Sequence, residues 1–205
     1  SDNSEVRGML RRFVKVGCYI IFPAMALLVV VSEPLVQLVF TEKWLPCVPY
    51  IWVFAACYAM QTLQSASLLA LRAIGRSGVT LVQDCIKRVI DLALLVVAIP
   101  FGPVAIASSC LVSAVVAVVV NTIPCSKVFE YGLLRQLIDV APTAFMALAA
   151  GAVAYCVSLL HLAAVVQIVT QVAVFALIYI VASIVLRNDS YAFVIETARG
   201  MLGRR

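Results

Sequence analysis

Four charged residues interrupt an apolar stretch at spacings of three, four and seven: Asp84, Lys87, Arg88 and Asp91. On an α-helix these positions share one face, so Asp84 can pair with Arg88 and Lys87 with Asp91. If the helix crosses a bilayer, each charge costs at least about 2.5–3.5 kcal/mol on insertion scales, so such residues turn toward a bundle interior or a wet cavity. Two readings stay open. The four charges neutralise one another near the membrane surface as a structural device, or they form a polar, partly cationic wall along a passage for a charged substrate. Counting back from Pro100 at 1.5 Å per residue puts Asp91 about 13 Å inside the far boundary, close to the midplane.

Other polar side chains sit in similarly apolar surroundings. Gln61, Gln64 and Ser65 make a stripe, Asn121 follows a Val-rich run, and Gln167 and Gln171 are one helical turn apart. Taken singly, each is more often an interhelical hydrogen bond than a ligand contact.

The sequence offers little for catalysis. The sole histidine, His161, lies in a tight turn, which leaves no His-based triad or metal pair. Gly75-Arg76-Ser77-Gly78 is a turn rather than a phosphate loop. The seven cysteines show no metal spacing and, inside apolar runs, behave as small hydrophobes. No metal, cofactor or disulfide is expected. An enzyme that polymerises or transfers glycans needs placed acid, base or cation groups at a water-facing surface. The connections on the non-basic side are too short for that and carry no Arg. A pore is disfavoured because the charges cluster on one helix instead of repeating around an axis.

The elements that must position these residues follow from composition. Of 205 residues, 64% are hydrophobic and 12% charged, and the mean hydropathy is +1.11. A soluble domain is about half apolar and one quarter charged, so lipid must solvate most of this surface. The net charge of +5 is spread over several stretches with no basic helix or aromatic-basic patch, which argues against nucleic-acid binding.

A membrane helix needs about 20 mostly apolar residues. Six stretches qualify: 13–31, 49–71, 79–99, 103–120, 137–160 and 163–186. The expected class is therefore all-α, a polytopic membrane protein with a six-helix bundle. Residues 33–40 read as a short apolar piece outside the membrane. Trp44, Tyr50 and Trp52 mark a water–lipid boundary, and Pro23 and Pro142 free backbone carbonyls inside spans. Small residues at four-residue spacing (Ala105, Ser109 and Ser113; Ala147 and Gly151) predict close helix approach.

Connections rich and poor in cations alternate. Arg7, Arg11, Arg12 and Lys15 come first, then Lys43 alone, then Arg72 and Arg76. No cation stands near Gly102, and Lys127 and Arg135 come next. Only His161 lies in the following turn, and Arg187, Arg199, Arg204 and Arg205 close the chain. The positive-inside rule then places residues 1–12 and the tail 187–205 on the cytoplasmic side of an inner membrane. The tail reads as an amphipathic surface helix attracted to anionic membrane lipids. The opening Ser-Asp-Asn-Ser-Glu lacks a signal-peptide n-region and reads as the middle of a longer protein.

Several segments, taken in order, resemble one family. They are Phe22-Pro23, Glu33-Pro34-Leu35-Val36, Glu42-Lys43-Trp44-Leu45-Pro46-Cys47-Val48-Pro49, Leu71-Arg72-Ala73-Ile74-Gly75-Arg76-Ser77, the 84–91 face, Gly102 and Asn121. Over roughly residues 13–131 they are similar to the polysaccharide (O-antigen-type) flippases, of the superfamily that also holds the multidrug and toxin extruders. The last two spans agree only in length and position. The resemblance implies the C-terminal lobe of a two-lobe transporter, with an N-terminal lobe of the same protein as its partner. It also implies translocation of a polyprenyl-pyrophosphate-linked oligosaccharide by alternating access, without catalysis. Lys87 and Arg88 match the family's cationic cavity and would contact the pyrophosphate, with Gln61, Gln64 and Asn121 along the sugar path. Asp84 and Asp91 would then be ion-pair or coupling residues. A cation-coupled exporter of drugs or metabolites and a membrane glycan-processing enzyme are the alternatives.

Overall fold

The computed structural model describes residues 2–73, 75, 77–129, 131–160 and 163–185. Among them are six α-helices and no strand: α1 Asp2–Phe40, α2 Val48–Ala73, α3 Ser77–Ala98, α4 Pro103–Phe129, α5 Leu133–Cys156 and α6 Ala164–Val185. Short 3-10 turns at Glu42–Cys47, Ile99–Phe101 and Val157–Leu160 connect or finish them. The all-α expectation holds. The amphipathic tail expected over 187–205 lies outside the described residues, as does His161.

Four segments are long and apolar enough to cross a membrane: Val6–Phe40, Pro103–Ser126, Leu133–Leu160 and Ala164–Val185. The chain is thus a multi-pass membrane protein. Helices α2 and α3 are diluted by the glutamines of one and the four charges of the other.

The expected limits of the first span fall short of its helix. α1 starts upstream of residue 13 and continues through Glu33-Pro34 to Phe40, so 33–40 is its last part and not a separate piece. It stops at Thr41, whose φ of 79° no helix accommodates. Trp44 N–H bonds to Thr41 O at 3.1 Å there, and the Trp44 ring lies 6.3 Å from that of Phe40. Glycine makes two further reversals among the described residues. Gly75 after α2 (φ 77°) and Gly102 before α4 (φ 89°) use the left-handed region that a Cβ disfavours. Each donates its N–H to the residue three before it, Arg72 O at 3.0 Å and Ile99 O at 3.3 Å.

The chain forms two compact units. One comprises residues 1–14 and 49–139, and the other residues 15–48 and 140–205. In the first, α3 and α4 lie side by side across the Gly102 turn.

In the second unit the core gathers Tyr19 and Val30 of α1, Met146, Ala147, Ala150 and Ala154 of α5, and Phe175 and Tyr179 of α6. Small residues on α5 allow close approach, as their spacing predicts. Ala150 and Ala154 are fully buried, and a Cβ on Gly151 would stand 3.7 Å from Val30.

Prolines inside helices explain two of the long-range hydrogen bonds. A proline at position i+4 supplies no N–H to the carbonyl of residue i, and in lipid no water replaces it. Pro23 removes the donor for Tyr19, and the Tyr179 hydroxyl donates to Tyr19 O instead at 2.8 Å. Pro124 does the same for Val120, whose carbonyl accepts from Gln83 Nε2 at 2.7 Å. The Tyr19 hydroxyl closes the first arrangement by donating to Ser183 Oγ at 2.9 Å.

A double-mutant cycle tests this compensation. Tyr179→Phe should cost about 1 kcal/mol, within the range for membrane hydrogen bonds. In a Pro23→Ala background the same change should cost much less, because Ala supplies the missing N–H. Thermal unfolding in detergent reads both, and equal costs in the two backgrounds would refute the account.

Candidate functional site

A cavity of about 580 Å³ opens within the first unit. Three helices each give it one stripe of side chains at helical spacing. α2 contributes Phe54, Cys57, Tyr58, Gln61 and Gln64. α3 contributes Asp84, Lys87, Arg88 and Asp91, and α4 contributes Cys110, Ser113, Ala114 and Ala117. The small residues of α4 leave the space, and the polar stripes of α2 and α3 fill its wall. The feature that lowers the apolarity of these two helices is thus the one that makes the cavity.

The charges pair differently from the sequence expectation. Lys87 Nζ meets Asp84 Oδ1 at 2.7 Å, and Arg88 stands 3.9 Å from Asp91; both pairs are i,i+3. The expected i,i+4 pairs, Asp84 with Arg88 and Lys87 with Asp91, do not form. Both spacings are sterically available, and neighbours on other helices decide between them. Arg72 of α2 approaches Asp84 at 3.7 Å, and the Ser113 hydroxyl of α4 donates to Asp91 Oδ1.

The two cations have unlike surroundings. The Lys87 side chain is 14% exposed and Arg88 86%, while Asp84 and Asp91 are 43% and 39% exposed. Lys87 is therefore a largely desolvated ammonium held by one short contact. Arg88 is an exposed guanidinium with a long, weak tether, worth little as an ion pair.

Of the expected sugar-path residues, Gln61 and Gln64 line the cavity. Asn121 does not. It is fully buried and donates through Nδ2 to Gln64 Oε1 at 3.3 Å, while Gln64 Nε2 donates to Ala114 O at 3.3 Å. Asn121 therefore stands behind a cavity residue, bonded to it, and is not itself among the lining residues. Of the other polar residues, the Ser65 hydroxyl donates back to Gln61 O at 2.8 Å, and Gln167 and Gln171 belong to the second unit.

Sequence reasoning missed Phe54, Cys57, Tyr58, Cys110 and Ser113 as wall residues. For Ser113 a signal existed. Asp91 and Ser113 are each eleven residues from Gly102, so a symmetric antiparallel hairpin sets them opposite each other. Ser113 had been read only as part of a small-residue packing row. The aromatic and cysteine residues carry no such signal, because any lipid-facing helix contains them.

Two of the cysteines give access to the cavity experimentally. Cys57 and Cys110 line it, whereas Cys125 is fully buried and its thiol donates to Ser67 O. In variants retaining one cysteine each, a charged methanethiosulfonate should modify Cys57 and Cys110 and spare Cys125. Protection of all three alike would show that the cavity is not water-filled.

Chemically, the wall combines one buried ammonium, one exposed guanidinium, two carboxylates, two amides and an aromatic edge. It can take an anion through charge-assisted hydrogen bonds and neutral hydroxyls through the amides. Residues 1–49 of the chain match the family model described as "Polysaccharide biosynthesis protein". That match supports a family of the polysaccharide-flippase type and a role in polysaccharide synthesis or export. No curated protein and no solved structure matches the chain.

Proposed function

We propose that this chain is part of a transporter that moves a polyprenyl-pyrophosphate-linked oligosaccharide across the inner membrane by alternating access, from the cytoplasmic leaflet outward. The observation that carries the proposal is a cavity, walled by α2, α3 and α4 of an apolar multi-pass chain, that presents Lys87 and Arg88 beside Gln61 and Gln64. In this reading the cations take the pyrophosphate, the amides take sugar hydroxyls, and Asn121 holds Gln64 in place. Asp84 and Asp91 keep the cations compatible with the membrane when no substrate is bound. An acid beside a cation lets an incoming anion displace an internal partner, so binding does not require an isolated buried charge. The family match over residues 1–49 lies outside this cavity and supports the same reading independently.

Cells depleted of the protein should accumulate the lipid-linked oligosaccharide in the inner leaflet and lose lectin staining of the outer leaflet. Re-expression should reverse both. Normal outer-leaflet staining during depletion would refute the proposal.

A second reading is favoured by one observation, that Asp84 and Asp91 each hold a cation at the wall. Such carboxylates suit a cation-coupled exporter of drugs or metabolites. Drug accumulation that depends on an ion gradient, with oligosaccharide export intact in the depleted cells, would select that reading.

A further inference from the structure

Two aromatic rings of the cavity have no task in the proposed function. Phe54 and Tyr58 line it from α2, one turn apart, and are 45% and 64% exposed. Among the described residues neither ring stacks on another aromatic there, and the Tyr58 hydroxyl makes no hydrogen bond. The second unit uses its aromatics otherwise. Tyr19, Phe175 and Tyr179 are buried against one another, and the Tyr19 and Tyr179 hydroxyls both donate. The open faces of Phe54 and Tyr58 have no such use, and leaving them to water costs free energy that a ligand's apolar face would recover.

The hydrogen bonds between helices fix what lies across from these rings. Asp91 meets Ser113 and Gln83 meets Val120 O, so α3 runs antiparallel to α4. Asn121 meets Gln64 and Cys125 meets Ser67 O, so α2 runs parallel to α4. Counted along the helices from these contacts, Asp91 is level with the turn between Phe54 and Tyr58. Lys87 and Arg88 are level with the next turn, between Tyr58 and Gln61. Tyr58 therefore stands on the wall across from the two cations. Beside both turns α4 contributes Ala114 and Ala117, whose short side chains keep the space open.

A pyranose ring has the complementary shape and polarity. Its C–H bonds carry partial positive charge and gather on one face, which suits the negative face of an aromatic ring. Its hydroxyls project from the edge, where Gln61, one turn beyond Tyr58 on the same stripe, offers a carboxamide. An aromatic face with an amide beside it reads a sugar by face and by edge. A pyrophosphate has no apolar face to place there, and a polyprenyl chain has no hydroxyl for the amide.

We propose, resting on the export reading, that Tyr58, extended by Phe54, is the platform for the sugar joined directly to the pyrophosphate. The phosphates lie on Lys87 and Arg88, and that sugar lies with its C–H face on Tyr58 and a hydroxyl on Gln61. Tyr58 thereby discriminates a glycan-bearing lipid from the bare lipid pyrophosphate, which the cations alone cannot do.

The test uses the full chain in detergent, titrated with farnesyl pyrophosphate or with farnesyl pyrophosphate esterified to N-acetylglucosamine, and read by microscale thermophoresis. The wild type is expected to bind the sugar-bearing probe at least about tenfold more tightly. Tyr58→Ala should reduce that ratio to below about twofold while the affinity for farnesyl pyrophosphate stays at the wild-type level. Tyr58→Leu, which keeps most of the volume and removes the aromatic face, should do the same. Tyr58→Phe should keep the ratio, because the ring and not the hydroxyl makes the contact. The platform is overturned by a wild type that binds both probes alike, or by an unchanged ratio in Tyr58→Ala or Tyr58→Leu. Equal weakening of both probes in those two variants also overturns it, since that is the mark of a structural role. A wild type that fails to bind farnesyl pyrophosphate at all overturns the cationic site of the export reading, and the platform with it.

Discussion

Glutamate at both Lys87 and Arg88 is expected to abolish export of the lipid-linked oligosaccharide while the protein stays in the membrane. The substitution keeps the number of charges on α3 at four and changes the sign of two of them. Insertion scales charge Asp, Lys and Arg similar amounts at a helix centre, so the cost of placing α3 hardly changes. The i,i+3 pairs Lys87–Asp84 and Arg88–Asp91 become like-charge contacts, a penalty of several tenths of a kcal/mol each. The ligand suffers far more. A pyrophosphate that had met two cations now meets four carboxylates. Each charged hydrogen bond is worth about 1.5–3 kcal/mol, so losing two lowers occupancy at least 100-fold. Surface polysaccharide should fall to background even after normalisation to the amount of protein in the membrane, measured by lectin staining and immunoblot of the same cells. Wild-type staining with both residues reversed would remove them from the substrate path.

The number and class of the helices were legible because apolar runs of membrane length need no partner to declare themselves. The face shared by Asp84, Lys87, Arg88 and Asp91 was legible for the same kind of reason, since helical period is local. Their pairing was not. Arg72 and Ser113 lie on different helices, and each selects its carboxylate only once the hairpin is folded. Asn121 looked like a wall residue because polarity in an apolar run signals a polar neighbour without saying whether that neighbour is substrate or Gln64.

The reach of α1 was hidden by Glu33-Pro34, a pair that reads as a break. Nothing glycine-like marks its real end at Thr41. Pro34 and Pro124 both stay inside helices, and at Pro124 a distant amide replaces the lost donor. Sequence reasoning could count the prolines but not find their substitutes.

The second large effect separates a structural ion pair from a substrate contact. Exchanging the partners, Asp84→Lys with Lys87→Asp, is expected to restore abundance but not export. Lys87→Asp alone should lower abundance, because it sets two carboxylates one turn apart where a largely buried ammonium had been compensated. The exchange puts an opposite charge back on the same face at the same spacing. Arg72→Gln is included because Arg72, 3.7 Å from Asp84, would otherwise face the transplanted ammonium; it lies outside the cavity wall, and alone it should leave export within about twofold of wild type, as expected of an exposed and distant pair. If the pair serves only to carry α3 through the membrane, the exchanged protein exports normally, because the pairing and the net charge of α3 are both restored. If Lys87 holds the anionic headgroup, the cation has moved three residues along the axis, about 4.5 Å. That exceeds the few tenths of an ångström over which a hydrogen bond keeps its strength. Export should then stay at least tenfold below wild type in a protein that inserts and accumulates normally. Full export in the exchanged protein would assign Lys87 and Asp84 to folding alone and leave the exposed Arg88 as the remaining candidate for the headgroup.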